Sequence, residues 1–159
     1  MGGNRRLAST GWLALLLVLL TLAPPVTHGQ PEDPVERELA VYLPPGYEEG
    51  GEPYGTLWDL AAFTNAGPGH LNWRNHGETL VQRLDRLVHE GRLPPVVVAI
   101  PDCYTSLGGN QYINSSAVGR YADYLTRELI PFVDGEFRTL ASREHRGCFG
   151  KSSGGYGAI

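Results

Sequence analysis

Apolar residues along this chain fall into short alternating or unbroken runs separated by helical stripes, and each pattern predicts an element. Leu39, Val41 and Leu43 alternate with Ala40 and Tyr42 ahead of Pro44-Pro45-Gly46-Tyr47, the signature of a strand that ends in a proline-glycine turn. After a loop rich in glycine and glutamate at 48–53, "TLWDLAAF" from Thr56 to Phe63 is apolar on both faces except at Asp59, and "VVVAI" from Val96 to Ile100 is unbroken. Short continuous apolar runs bounded by prolines, here Pro94, Pro95 and Pro101, suit strands buried on both faces of a parallel sheet. Between them Leu80, Leu84, Leu87 and Val88 share one stripe of a helix that closes at Gly91, with Pro94 beyond. Tyr121, Leu125, Leu129, Phe132 and Val133 form a second stripe, in which Pro131 predicts a kink or an early stop. "RGCFG" at 146–150 reads as the next strand and Ser153 onward as the next helix. Such alternation predicts an open α/β sheet with helices on both faces, a three-layer α/β/α sandwich.

The amino terminus differs in kind. Arg5 and Arg6 precede an unbroken apolar run from Trp12 to Leu20, extended through Ala23 and closed by Pro24 and Pro25. Charge followed by an apolar run is the order of an export signal. A spanning helix needs about 20 predominantly apolar residues, and this run is shorter. The expected organisation is therefore a signal peptide over residues 1–29, cleaved after the small residue Gly29, then a polar leader over 30–38, then one domain from 39 to 159. The mature chain is expected to be secreted or periplasmic, with no stable membrane span left after cleavage.

With 159 residues and 42% in the hydrophobic set, the chain can bury one core but not two. Acidic and basic residues are interspersed and the formal net charge is -4, so no basic stripe invites a nucleic acid. Cys103 and Cys148 stand in an exported chain where a disulfide is chemically permitted. Two buried thiols are the expected state, with Cys148 in a core strand.

Candidate chemistry concentrates at "GKSSG", Gly150 to Gly154, a G-x-S-x-G sequence at the predicted strand-to-helix junction. In that context it reads as a nucleophile elbow centred on Ser152. A sharp turn strains the serine, and side chains two residues to either side would collide with the adjoining strand and helix; glycine removes the collision. The same turn aims the N–H of Ser153 at the oxyanion formed when Ser152 attacks a carbonyl. The rival reading of "GKS" as the tail of a phosphate-binding loop needs glycine five positions before Gly150, where His145 stands.

"VYLPPGY", "IPD" after the third strand, "ELIPFVDGEFRT" and "SREHRGCFGKSSGGYGA", in that order, resemble the putative-esterase family of α/β-hydrolases. That family includes enterochelin esterases, feruloyl esterases, S-formylglutathione hydrolases and the antigen 85 mycolyltransferases. The resemblance covers about residues 39 to 159. It implies an α/β-hydrolase fold, Ser152 as nucleophile and Ser153 as one oxyanion N–H donor, with no cofactor and no metal. In relatives the second donor comes from the loop after the strand matching "TLWDLAAF", where many carry a histidine-glycine pair; here that place falls near Ala61, Ala62 and Phe63, with Ala62 or Phe63 favoured as donor.

Asp59, a carboxylate in a buried strand, is expected to be paired structurally. The following loop holds His70, Trp73, Arg74 and His76; Trp73 is expected to face substrate, and "SLGGNQY" at 106–112 offers a second rim. His70 and His76 have no cysteine or carboxylate at zinc-like spacing, which disfavours a metal site. His89 on the outer part of a helix and His145 in a turn are poor candidates for a base.

A serine nucleophile needs a base oriented by a carboxylate, supplied in this fold in the order Ser, Asp or Glu, His. Of the seven residues after Ser152 none is acidic or histidine. The sequence thus reads as the N-terminal part of a serine esterase acting through an acyl-enzyme on a small-molecule or carbohydrate-linked acyl ester, truncated after the elbow and inactive by itself. An acyltransferase of the antigen 85 type and a non-catalytic binding remnant are the alternatives.

Overall fold

A computed structural model describes residues 14–21, 33 and 36–159, the first of these segments by its backbone alone. Five strands form one sheet: β1 (Ala14–Thr21), β2 (Glu36–Leu43), β3 (Gly55–Leu60), β4 (Val96–Pro101) and β7 (Arg146–Gly150), in the spatial order β1-β2-β4-β3-β7. A separate two-stranded ribbon joins β5 (Asn114–Ser115) and β6 (Gly119–Arg120).

The sheet is mixed rather than wholly parallel. β3 runs parallel to both β4 and β7, whereas β2 is antiparallel to β4, with Leu39 opposite Pro101 and Tyr42 opposite Val98. A parallel pair needs a crossover, usually a helix. The segment from β2 to β3 carries only a three-residue 3-10 turn, Tyr47–Glu49, and cannot return the chain for a parallel start. β3, β4 and β7 are separated by helices and do run parallel.

Alternation along the strands divides the core into two layers. Leu39, Val41, Trp58, Leu60, Val97 and Ala99 pack on one face against Tyr121, Tyr124, Leu129 and Val133. Ala40, Tyr42, Val96, Val98 and Ile100 pack on the other against Val81 and Leu84 of α1 (Leu80–His89). The three-layer α/β/α arrangement is thus present. α1 starts at a capping box: Thr79 accepts from the N–H of Gln82 while the Gln82 side chain accepts from the N–H of Thr79, which satisfies two donors that a helix start leaves open.

Pro131 neither stops nor breaks the second stripe. α2 (Tyr121–Asp123) passes into a π-helical stretch, Tyr124–Leu129, which runs on into α3 (Ile130–Glu136). The N–H of Ile130 bonds the carbonyl of Leu125, five residues back. Widening the turn just before the proline relieves the clash its ring would make with the carbonyl four residues earlier and absorbs its missing donor.

The apolar run expected to be the core of an export signal pairs along β2, with Ala14 opposite Leu43 and Thr21 opposite Glu36. The expected cleavage point after Gly29 and most of the 30–38 leader lie outside the described residues. On its far side β7 has no strand partner among the described residues. That edge position corrects the expectation for Cys148, which is exposed, while Cys103 is buried; both thiols are free. Among the described residues no helix is long and apolar enough to cross a membrane.

Candidate active site

At the end of β7 the chain reverses sharply into α4 (Ser153–Gly157), and Ser152 sits at the corner with φ 55° and ψ −118°. A non-glycine residue with such a φ is strained. The flanking glycines are sterically compulsory. A β-carbon at Gly150 would lie 2.5 Å from the carbonyl oxygen of Leu60, and one at Gly154 would lie 1.9 Å from the same oxygen and 2.9 Å from that of Ala61. β3, which pairs with β7 up to Leu60 opposite Gly150, therefore presses its last residues directly onto the first turn of α4. Ser152 itself is exposed and Ser153 is buried.

This contact brings the loop after β3 to the elbow. Neither Ala62, Phe63 nor Ser153 donates its backbone N–H to a backbone carbonyl among the described residues. Their carbonyl side is well held: Ala62 accepts from the N–H of Asn65 at 3.0 Å and Phe63 from that of Gly109 at 2.7 Å. The Tyr112 hydroxyl donates to the carbonyl of Ala61 at 2.8 Å. Gly109 must be glycine for this clamp, because a β-carbon there would stand 2.6 Å from the Cα of Phe63.

Beside the elbow, on the α1 face, lies a cleft of about 290 Å³ lined by Asp59, His70, Arg74, Glu78, Phe149 and Lys151, among others. Asp59 is buried and bonds the Nδ1 of His70. Glu78 is engaged by Arg86, and more distantly by Arg83, which hold its carboxyl below the usual range. Arg74 and Lys151 make no ion pair among the described residues. No hydrogen bond joins the Ser152 hydroxyl to a histidine there either: His70 is turned to Asp59, and His145 bonds Ser142. His70 is the histidine that shares a cleft with the elbow. Among the described residues no group of three or more His, Cys, Asp or Glu stands together as a metal site. Trp73 does not join the cleft lining and is 79% exposed, in the turn after His70.

A sequence model of the family described as putative esterases matches residues 34–159. The chain belongs to that family. Solved structures agree in fold. A ferulic acid esterase superposes with TM-score 0.72 at 24% identity, over 92% of this chain and 53% of its own. An S-formylglutathione hydrolase from Agrobacterium tumefaciens gives 0.61 at 20%, over 98% and 54%. The feruloyl esterase module from Clostridium thermocellum, a serine-to-alanine mutant complexed with sinapinate, gives 0.63 at 22%, over 89% and 46%. The chain spans about half the length of these relatives and shares their α/β-hydrolase fold.

Within this esterase-family chain two contacts of the candidate site escape sequence reasoning. The Asp59–His70 pair joins residues 11 apart in sequence, one in a strand and one in the 3-10 turn Gly67–Leu71. Only the presence of a carboxylate in an otherwise apolar strand hinted at a partner. Tyr112 reaches Ala61 across 51 residues, and its sole signal was the glycine pair at 108–109 in the rim segment.

Proposed function

We propose that this chain carries the nucleophile half of a serine esterase: Ser152 attacks a carboxylic ester to form an acyl-enzyme, and the N–H groups of Ser153 and of Ala62, with Phe63 as the alternative second donor, receive the developing oxyanion. The observation that supports this reading is the strained Ser152 between two glycines that admit no β-carbon. Such strain persists only where the surroundings enforce it, and it clusters at reacting groups. The N–H groups of Ala62, Phe63 and Ser153 donate to no backbone carbonyl among the described residues, which leaves them free to stabilise a tetrahedral intermediate in this reading. Membership of the esterase family and neighbours named for ferulate and formylglutathione esters favour an acyl ester, small or carbohydrate-linked, as substrate. The cleavage releases the alcohol and leaves the acyl group on Ser152 for water to remove.

The test is p-nitrophenyl acetate hydrolysis by the protein as its producing cell makes it, beside its Ser152→Ala variant. Turnover on the order of 1 per second or more that the variant loses is expected; turnover indifferent to the substitution overturns the reading. Among the described residues no histidine bonds the Ser152 hydroxyl, so residues 30–159 alone are expected to show no more than the residual help of their oxyanion donors. Serine-dependent turnover at full rate by that stretch would place a base within it. We also propose that the chain is exported, its amino-terminal apolar run acting as the signal.

A further inference from the structure

Two non-glycine residues have positive φ among the described residues: Ser152 and, at φ 59°, Tyr112. For a residue as bulky as tyrosine this conformation is rare and must be enforced. The enforcement is visible. Asn110 accepts the N–H of Tyr112 on its Oδ1 at 2.7 Å and donates from its Nδ2 to the carbonyl of Cys103 at 2.6 Å, so the strained residue hangs from the end of β4 through a buried amide. The Tyr112 ring is 7% exposed and spans two elements. Its hydroxyl donates to the carbonyl of Ala61, and its ring lies on Gly157 of α4 so closely that a β-carbon there would stand 2.6 Å from Cδ2. Burial, above all, pushes the phenol well above its ordinary pKa, so the hydroxyl stays protonated and remains a donor.

The carbonyl of Ala61 and the N–H of Ala62 belong to one planar trans peptide and point in opposite directions. A donor fixed on that carbonyl fixes the direction of that N–H. It also polarises the peptide, which strengthens the N–H as a donor. The same side chain braces α4, whose first residue carries the other oxyanion N–H. We propose that Tyr112 is a positioning residue that sets the oxyanion hole, holding the Ala62 donor at a fixed angle and distance to the Ser153 donor. This rests on the esterase reading above, with Ala62 as the second donor.

The experiment uses the protein as its producing cell makes it and compares wild type, Tyr112→Phe, Tyr124→Phe and Ser152→Ala on p-nitrophenyl acetate and on its thiono analogue, in which sulfur replaces the carbonyl oxygen. A hole built for oxygen favours the oxygen ester, and the ratio of the two kcat/KM values does not depend on how much of a sample is folded. Tyr124 is a buried tyrosine whose hydroxyl has no hydrogen-bond partner among the described residues, so it controls for loss of a buried hydroxyl away from the Ala61 loop. Tyr112→Phe is expected to lower kcat for the oxygen ester about tenfold or more, toward the hundredfold of a lost donor. KM should stay within about twofold, and the oxygen-over-sulfur preference should fall by the same factor as kcat. Tyr124→Phe should leave that preference unchanged. Loss of activity on both esters alike, with the preference intact, makes Tyr112 merely structural and overturns the proposal, as does an unchanged kcat. A Ser152→Ala protein as active as wild type instead overturns the esterase reading beneath it.

Discussion

Gly154→Ala places the structure of the elbow under direct test. The added β-carbon would meet the Leu60 carbonyl oxygen at 1.9 Å, and real β-carbons essentially never approach a neighbour closer than 3.0 Å, so the two elements must part by more than 1 Å. The obstructing atom is backbone, at the last paired residue of β3, and no rotamer change moves it aside. Relief therefore displaces Leu60, which is 1% exposed and pairs with Gly150. Overpacking a core costs about 1–3 kcal/mol, and a clash of backbone on backbone belongs at the upper end, about 3 kcal/mol. For a domain of this size each kcal/mol shifts Tm by about 2–4 °C, so the expected fall is roughly 6–12 °C. Gly135→Ala is the matched control, since a β-carbon there in α3 meets nothing within 4 Å and its φ is not positive; it should stabilise by about 0.5–1 kcal/mol. Thermal and urea unfolding followed by circular dichroism measure both. A Gly154→Ala protein melting within about 2 °C of wild type would mean that β3 does not press on α4, and the strained corner at Ser152 would lose its cause.

Two further outcomes follow from other parts of the chain. Asp123 is held below the usual carboxylate range, chiefly by its hydrogen bond from Arg120; a lowered pKa means stability present above the ordinary value of about 3.9 and lost as pH falls through the folded value. The stability gap between wild type and Asp123→Asn should therefore be constant above about pH 5, begin to shrink there and go on shrinking as pH falls below about 3.9, and a gap independent of pH in urea titrations would show that the ion pair is not its source. Amino-terminal sequencing of exported protein should begin near Gln30; a sequence beginning at Met1 would remove the signal-peptide reading and leave β1 as a permanent strand of the mature sheet.

Periodicity reports which face of an element is buried, and where that was the question the sequence answered well. "VVVAI" is buried on both faces because a layer packs on each side of this central strand, and the Leu80–Leu84 stripe does cover one of them. Orientation is a different matter. The β2 pattern is the same whether its neighbour runs parallel or antiparallel, and only the lack of a helix before β3 distinguishes the two. Burial of a strand also depends on its place in the sheet: "RGCFG" has the composition of a core strand, yet Cys148 is exposed because β7 lies at the edge of the described sheet.

The two strained residues show why one half of the candidate site was legible and the other was not. At Ser152 the strain and its relief are local: the residues that must be small are two positions to either side, so G-x-S-x-G announces the corner wherever a strand meets a helix. At Tyr112 the cause is spread over three segments, with the amide of Asn110 beneath it, Ala61 before it by 51 residues and Gly157 after it in α4. No spacing rule joins those positions. Yet each left a trace that becomes readable once the contacts are known, because Gly109 and Gly157 are glycines for the same kind of reason as Gly150 and Gly154: another backbone or ring occupies the space a side chain would need. These four glycines are thus records of close approach, unlike Gly135, which meets nothing: 109, 150 and 154 crowd the end of β3 and the loop after it, and 157 receives the ring of Tyr112, whose hydroxyl reaches that same loop, beside which the proposed oxyanion would sit.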